Sequence, residues 1–175
     1  MEPTTRGASG SKAAFYQSVC EQLDQLLGEE TNFVANAANA SALLYQLLPD
    51  VNWVGFYILE GRHLILGPFQ GKPACARIAL GKGVCGRAAL ERKTIVVPDV
   101  SRFEGHIVCD AASQSEIVVP LLNWGKLIGV LDVDSASLNR FDEEDGEGLE
   151  SVVSVFLASQ TTNDLPDLSE RAAKN

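Results

Sequence analysis

Residues 115–135 read SEIVVPLLNWGKLIGVLDVDS. Two apolar runs of strand length flank Asn123-Trp124-Gly125, and this is the clearest β-hairpin signal in the chain. The second run carries Asp132 and Asp134 two residues apart, so a strand sets both carboxylates on one face. Glu116, near the start of the first run, can join them across the hairpin. A core strand ordinarily carries aliphatic residues at such positions. Carboxylates there are costly unless they line a wet pocket or meet a cation. The other reading is a sheet face open to water.

Working outward, NWVGFYILE (52–60) and HLILGPF (63–69) around a Glu-Gly-Arg turn predict a second hairpin. Trp53 and Tyr57 share a face of its first strand, as core residues or as a ligand wall. ACARIAL (74–80) reads as a strand and GKGVCGRAALERK (81–93) as a glycine loop entering a short helix. TIVVPDV (94–100) reads as a strand interrupted near its end by Pro98. SRFEGHIVCDAASQS (101–115) has no period and reads as a functional loop or mobile lid.

Before the first hairpin, Ser11 caps a helix with Phe15, Val19, Leu23, Leu26 and Leu27 on its apolar face. A second helix carries Phe33, Ala37, Leu44, Leu47 and Leu48 and stops at Pro49. The two are expected to lie antiparallel on one sheet face. Acidic residues after Phe141 open a last helix with Leu149, Val152, Val153, Phe156 and Leu157 inward. The order predicts an α+β fold, a central, mostly antiparallel sheet with helices packed on it. Residues 11–160 form one domain in this reading, with a flexible extension at 1–10 and a polar tail at 161–175.

The chain has 175 residues, 46% of them apolar, and a formal net charge of −9. That charge repels phosphate backbones and anionic surfaces, so neither nucleic acid nor membrane is expected as a partner. No apolar run approaches the roughly 20 residues of a membrane span, and MEPTTRGASG has the pattern of neither a signal nor a transit peptide. The expected compartment is the cytoplasm. In reducing conditions, clustered cysteines point to redox, nucleophilic or metal chemistry rather than a permanent disulfide framework. No metal is expected: Cys75, Cys85 and Cys109 form no C-x-x-C knuckle, and His63 and His106 form no pair at ligand spacing.

A thiolate is the nucleophilic form, favoured near a helix N-terminus or in a polar loop. Cys109 sits in the irregular loop, Cys85 among glycines at a helix start, and Cys75 on or beside a strand. Burial of all three as inert thiols is the competing reading. Cys20, among the residues of the first helix, reads as structural, and His106 as a solvated loop histidine.

Taken together, NWVGFY, PAC at Cys75, GKGVCG at Cys85, GHIVCDAASQSEIV around Cys109 and IGVLDVDS resemble the free methionine-(R)-sulfoxide reductases, which are GAF-domain proteins. The resemblance runs from about Phe15 to Leu157, and the three-cysteine set is far more specific than the fold. It implies that Cys109 attacks the sulfoxide sulfur and becomes a sulfenic acid. It implies further that Cys75 resolves this to a disulfide, which thioredoxin reduces, and that Cys85 has an auxiliary or alternative resolving part. Glu116, Asp132 and Asp134 correspond to acidic pocket residues, Trp53 and Tyr57 to the aromatic wall. Thioredoxin is then the external reductant with no cofactor bound, free methionine sulfoxide the substrate, and a homodimer the expected assembly. Such chemistry needs a protonated acid near the sulfur, which grouped carboxylates supply because like charges raise one member's pKa. The alternatives are a GAF sensor that binds a small molecule without chemistry, for which the chain has no length for an output domain, and a thiol redox switch.

Overall fold

The computed structural model describes residues 10–107, 109 and 111–160; the extension expected at 1–9 and the tail from 161 lie outside the described residues. Helix α1 (Lys12–Leu27) starts where the Ser11 hydroxyl accepts from the Ala14 N–H, and α2 (Phe33–Leu47) where the Asn32 side chain accepts from Ala35. Strands β1 (Trp53–Glu60) and β2 (His63–Gly71) form the first hairpin. Next come β3 (Arg77–Ala79), α3 (Gly83–Glu91), β4 (Ile95–Val97) and a single 3-10 turn at Val100–Arg102. The second hairpin is β5 (Ser115–Asn123) with β6 (Lys126–Ser135), and α4 (Glu143–Ala158) closes the domain.

The strands form one six-stranded sheet in the order β3-β2-β1-β6-β5-β4, antiparallel at every neighbouring pair. This is the α+β architecture expected from the element order. Trp124 and Gly125 both take positive φ, 49° and 77°, at the tip of the β5–β6 hairpin. A turn with two such residues matches the right-handed twist of its strands and so fixes their register. Glu116 is thereby set opposite Asp134, and Val118 opposite Asp132.

Period-two alternation divides the sheet into two apolar clusters. Val54, Phe56, Ile117, Val119, Leu121, Leu131 and Val133 face α2 and α4, with α1 packed mainly across those two helices. Trp53, Tyr57, Val118 and Val130 face the other way, toward α3 and its Val84, Cys85, Ala88 and Ala89. The carboxylates of β5 and β6 share this second face, so α3 and the 103–114 loop decide whether they meet water.

The inward face of α1 differs from the apolar stripe. Leu26 is 45% exposed and Tyr16 is buried in its place. The Tyr16 hydroxyl donates to Asp145 Oδ1 at 2.8 Å, and Asp145 also receives Lys12 Nζ at 2.7 Å. Asp145 is itself the third helical residue of a capping box with Asp142, so one buried carboxylate ties α1 to the start of α4. Leu47 and Leu157 are half-buried, while Ala40 and Ser41 take interior positions on α2. The strands expected over 74–80 and 94–100 shrink to three residues each. No helix among the described residues is long and apolar enough to cross a membrane.

Gly148 on α4 lies so close to the Tyr16 ring that a methyl group there would overlap it. Gly148→Ala gains about 1 kcal/mol of helix propensity but forces α1 off α4, an overpacking cost of roughly 1–3 kcal/mol. The expected result is a lower urea midpoint than the parent protein; a higher one would contradict the described α1–α4 contact.

Candidate functional site

Glu116 on β5 and Asp132 on β6 are each only 6% exposed, and Asp134 is half-buried beside them. The water-open face weighed from the sequence is therefore not what the fold builds. The three carboxyl groups line a cavity between the sheet, the start of α3 and the 103–114 loop. Lys82, Gly83, Val84 and Cys85 form one wall, His106, Ile107, Cys109 and Ser113 another, and Tyr57 and Ile78 complete it.

Crowding and burial set the protonation of this pocket. Burial foremost, then the Asp134 charge, push the Glu116 carboxyl up to about 7, against the opposing pull of His106 and Cys85. Burial and the Glu116 charge push Asp132 well above the usual carboxylate range. At neutral pH the cluster thus retains at least part of a proton. The Cys85 thiol is 3% exposed and donates to Glu116 Oε1 across 3.9 Å. Burial, then the Asp132 and Glu116 charges, hold it well above the ordinary thiol range, which disfavours its thiolate.

Cys75 and Cys109 are joined by a disulfide with their Cα atoms 5.3 Å apart, the pairing that the sequence resemblance implies. It links the segment before β3 to the loop before β5 across 34 residues. Cys85 and Cys20 are free. Tyr57 lines the cavity, and its hydroxyl donates to the Cys75 carbonyl at 3.1 Å. Trp53 stands one step behind. It stacks between Tyr57 and Phe69 at centroid distances of 5.9 and 5.3 Å, and its Nε1 donates to the Lys72 carbonyl. Gly55 makes this possible, because a Cβ there would meet both the Trp53 and Phe69 side chains.

The reading of His106 as a solvated histidine is corrected by the fold. Its side chain is 15% exposed, with Nε2 3.7 Å from Glu116 Oε2. Lys82 and Ser113 also line the cavity without having been singled out in the sequence. Only the proximity of His106 to Cys109 in the chain signalled its place.

The description of the GAF domain family matches residues 13–156. The free methionine-R-sulfoxide reductase of Escherichia coli is 49% identical over 154 residues, covering 88% of this chain and 93% of that one. The chain belongs to the GAF-domain family, among the free methionine-R-sulfoxide reductases. The enzyme of that name from Saccharomyces cerevisiae is 44% identical over 152 residues, 80% of this chain and 84% of its own. The X-ray structure of free methionine-R-sulfoxide reductase from Neisseria meningitidis in complex with its substrate superposes with a TM-score of 0.83 at 40% identity, covering 97% of this chain and 98% of that one. The similarity to this family therefore spans the cysteine and carboxyl cluster.

The raised Glu116 carboxyl has a consequence for stability. An unfolded chain ionises it near 4.5 and the folded chain near 7, so between these values the folded state binds more protons. Its contribution to unfolding free energy therefore falls as pH rises through that window. Glu116→Gln removes the titration. The expected outcome in urea unfolding at about pH 5 and about pH 8 is a shallower loss of stability with pH than in the parent; an unchanged slope would show that Glu116 ionises normally.

Proposed function

We propose that this protein reduces free L-methionine-(R)-sulfoxide to L-methionine, with Cys109 as nucleophile, Cys75 as resolving thiol and thioredoxin as external reductant. One observation carries the reading: the Cys75–Cys109 pair borders a pocket whose buried carboxyl, Glu116, is poised near neutrality. The names of the similar proteins support the substrate class.

In the reduced protein the Cys109 thiolate attacks the sulfoxide sulfur. The sulfoxide oxygen becomes basic as the bond forms, and protonated Glu116 supplies its proton. The oxygen then migrates to the Cys109 sulfur. A Cys109 sulfur–oxygen bond forms as the substrate's sulfur–oxygen bond and the new sulfur–sulfur bond break, so methionine departs as the thioether and Cys109 is left as a sulfenic acid. The Cys75 thiol then attacks the Cys109 sulfur and water leaves, which closes the disulfide. A thioredoxin dithiol returns two electrons by thiol–disulfide exchange and is itself oxidised to a disulfide.

Specificity for the free amino acid follows from charge placement. Asp132 and Asp134 receive the α-ammonium, a group that a peptide bond abolishes. Lys82 and the N-terminal end of α3 suit the α-carboxylate, since a helix start favours negative charge. Tyr57, backed by Trp53, offers an aromatic surface to the methyl group and sulfur. Cys85, a buried thiol beside Glu116, acts as an auxiliary member of the acidic cluster. In this account residues 11–160 are the catalytic domain, acting in the cytoplasm as a homodimer with no bound cofactor.

The test is NADPH oxidation coupled through thioredoxin and its reductase, offering the free (R) epimer, the free (S) epimer and a peptide-bound sulfoxide separately. Turnover is expected with the free (R) epimer alone. Cys109→Ser should lose roughly 10³-fold or more, and Glu116→Gln roughly 10²–10⁴-fold. Cys75→Ser should release one equivalent of methionine and stall before thioredoxin is consumed. Full turnover by Cys109→Ser would overturn the assignment, and inactivity toward all three compounds would favour a ligand-binding sensor.

A further inference from the structure

Cys85, Glu116 and Asp132 come from the first turn of α3, from β5 and from β6, yet their ligand-capable atoms lie within 4.8 Å of one another. All three side chains are buried. Asp132 Oδ1 has no hydrogen-bond partner among the described residues. His106 Nε2, 3.7 Å from Glu116 Oε2, brings an imidazole to the edge of the group. We propose that this cluster is a binding site for a thiophilic divalent cation of the zinc class, separate from the Cys75–Cys109 redox pair.

The donor set decides the class of ion. One thiolate sulfur and two carboxylate oxygens, with the fourth position left to water or to the neighbouring His106 imidazole, are a set that zinc and cobalt accept in four-coordinate sites. Magnesium and calcium want six or more oxygens, which a cysteine-centred pair of carboxylates does not provide. Bonds of about 2.0–2.3 Å place tetrahedral ligand atoms roughly 3.3–3.8 Å apart. Cys85 Sγ and Glu116 Oε1 are already 3.9 Å apart, and the three donor atoms need draw in by no more than about an ångström from their 4.8 Å envelope. Binding forms metal–sulfur and metal–oxygen bonds, releases the protons held by those groups to solvent, and changes no oxidation state. It also offsets the cost of burying like charges together.

Ligands drawn from three elements leave no short-range spacing in the sequence, so the absence of a cysteine knuckle does not bear on this site. Because it shares Glu116 and Asp132 with the proposed substrate pocket, a bound cation would compete with substrate. Occupancy itself does not depend on that functional reading.

The test uses the full chain with the Cys75–Cys109 disulfide closed and metal removed, titrated with Co²⁺. In this state Cys20 and Cys85 are the free thiols. One equivalent should bind with a near-ultraviolet thiolate-to-cobalt charge-transfer band that Zn²⁺ abolishes by displacement. The band should persist in Cys20→Ser and vanish in Cys85→Ser. Asp132→Asn, nearly isosteric, should weaken Co²⁺ affinity by about tenfold or more. No thiolate band in the parent protein, a band that survives Cys85→Ser, or unchanged affinity in Asp132→Asn would each overturn the proposal. Sulfoxide turnover by the metal-free protein is read separately, so failure of the metal site and failure of the reductase reading are distinguishable.

Discussion

Placing carboxyl groups side by side on the apolar side of a sheet is the constraint around which this domain is built. Glu116 and Asp134 face each other across β5 and β6, and Asp132 follows two residues before Asp134 on the same strand. In water their mutual repulsion would be screened and weak. Beneath α3 and the 103–114 loop it is neither. Burial first, with the neighbouring carboxylate charge adding to it, favours the protonated form, so the cluster keeps part of a proton at neutral pH.

The remaining architecture holds that arrangement in register. The opposite sheet face packs against α2 and α4, so a slip of one residue between β5 and β6 would move aliphatic side chains into the pocket and carboxylates into the core. The β5–β6 turn and the pairing of β6 with β1 fix the position of the acidic groups, and the Trp53 stack braces β1 from the pocket side. Asp145 performs a different electrostatic task in the first turn of α4. It is equally buried but surrounded by Lys12, Arg140 and the Tyr16 hydroxyl, so its charge is compensated and serves packing rather than chemistry. The two acidic sites show how neighbours, rather than burial alone, decide what a carboxylate does.

Much of this was legible in the chain because it depends on local period. The alternation in 115–135 gave both strands and the shared face of Asp132 and Asp134. The 3.6-residue apolar patterns, with Ser11 as a cap for the first, gave α1, α2 and α4. What was not legible depends on partners distant in sequence. Leu26 and Tyr16 compete for the inward face of α1, and the outcome turns on Asp145, 129 residues from Tyr16. His106 looked like a loop residue because Glu116, its neighbour, is brought to it only by tertiary packing. Trp53 and Tyr57 share a strand face as expected, but which of them borders the cavity depends on β2 and its Phe69. The Cys75–Cys109 pairing came from family resemblance, since nothing in their spacing selects it over other pairs.

The central claim is that burial among other acids lifts the Glu116 carboxyl to about 7, so that a large share of it is protonated at neutral pH. Carbon-13 NMR titration of the Glu116 side-chain carboxyl in the folded protein measures this directly. The account predicts a midpoint near 7, and a midpoint near 4.5, the ordinary glutamate value, would contradict it.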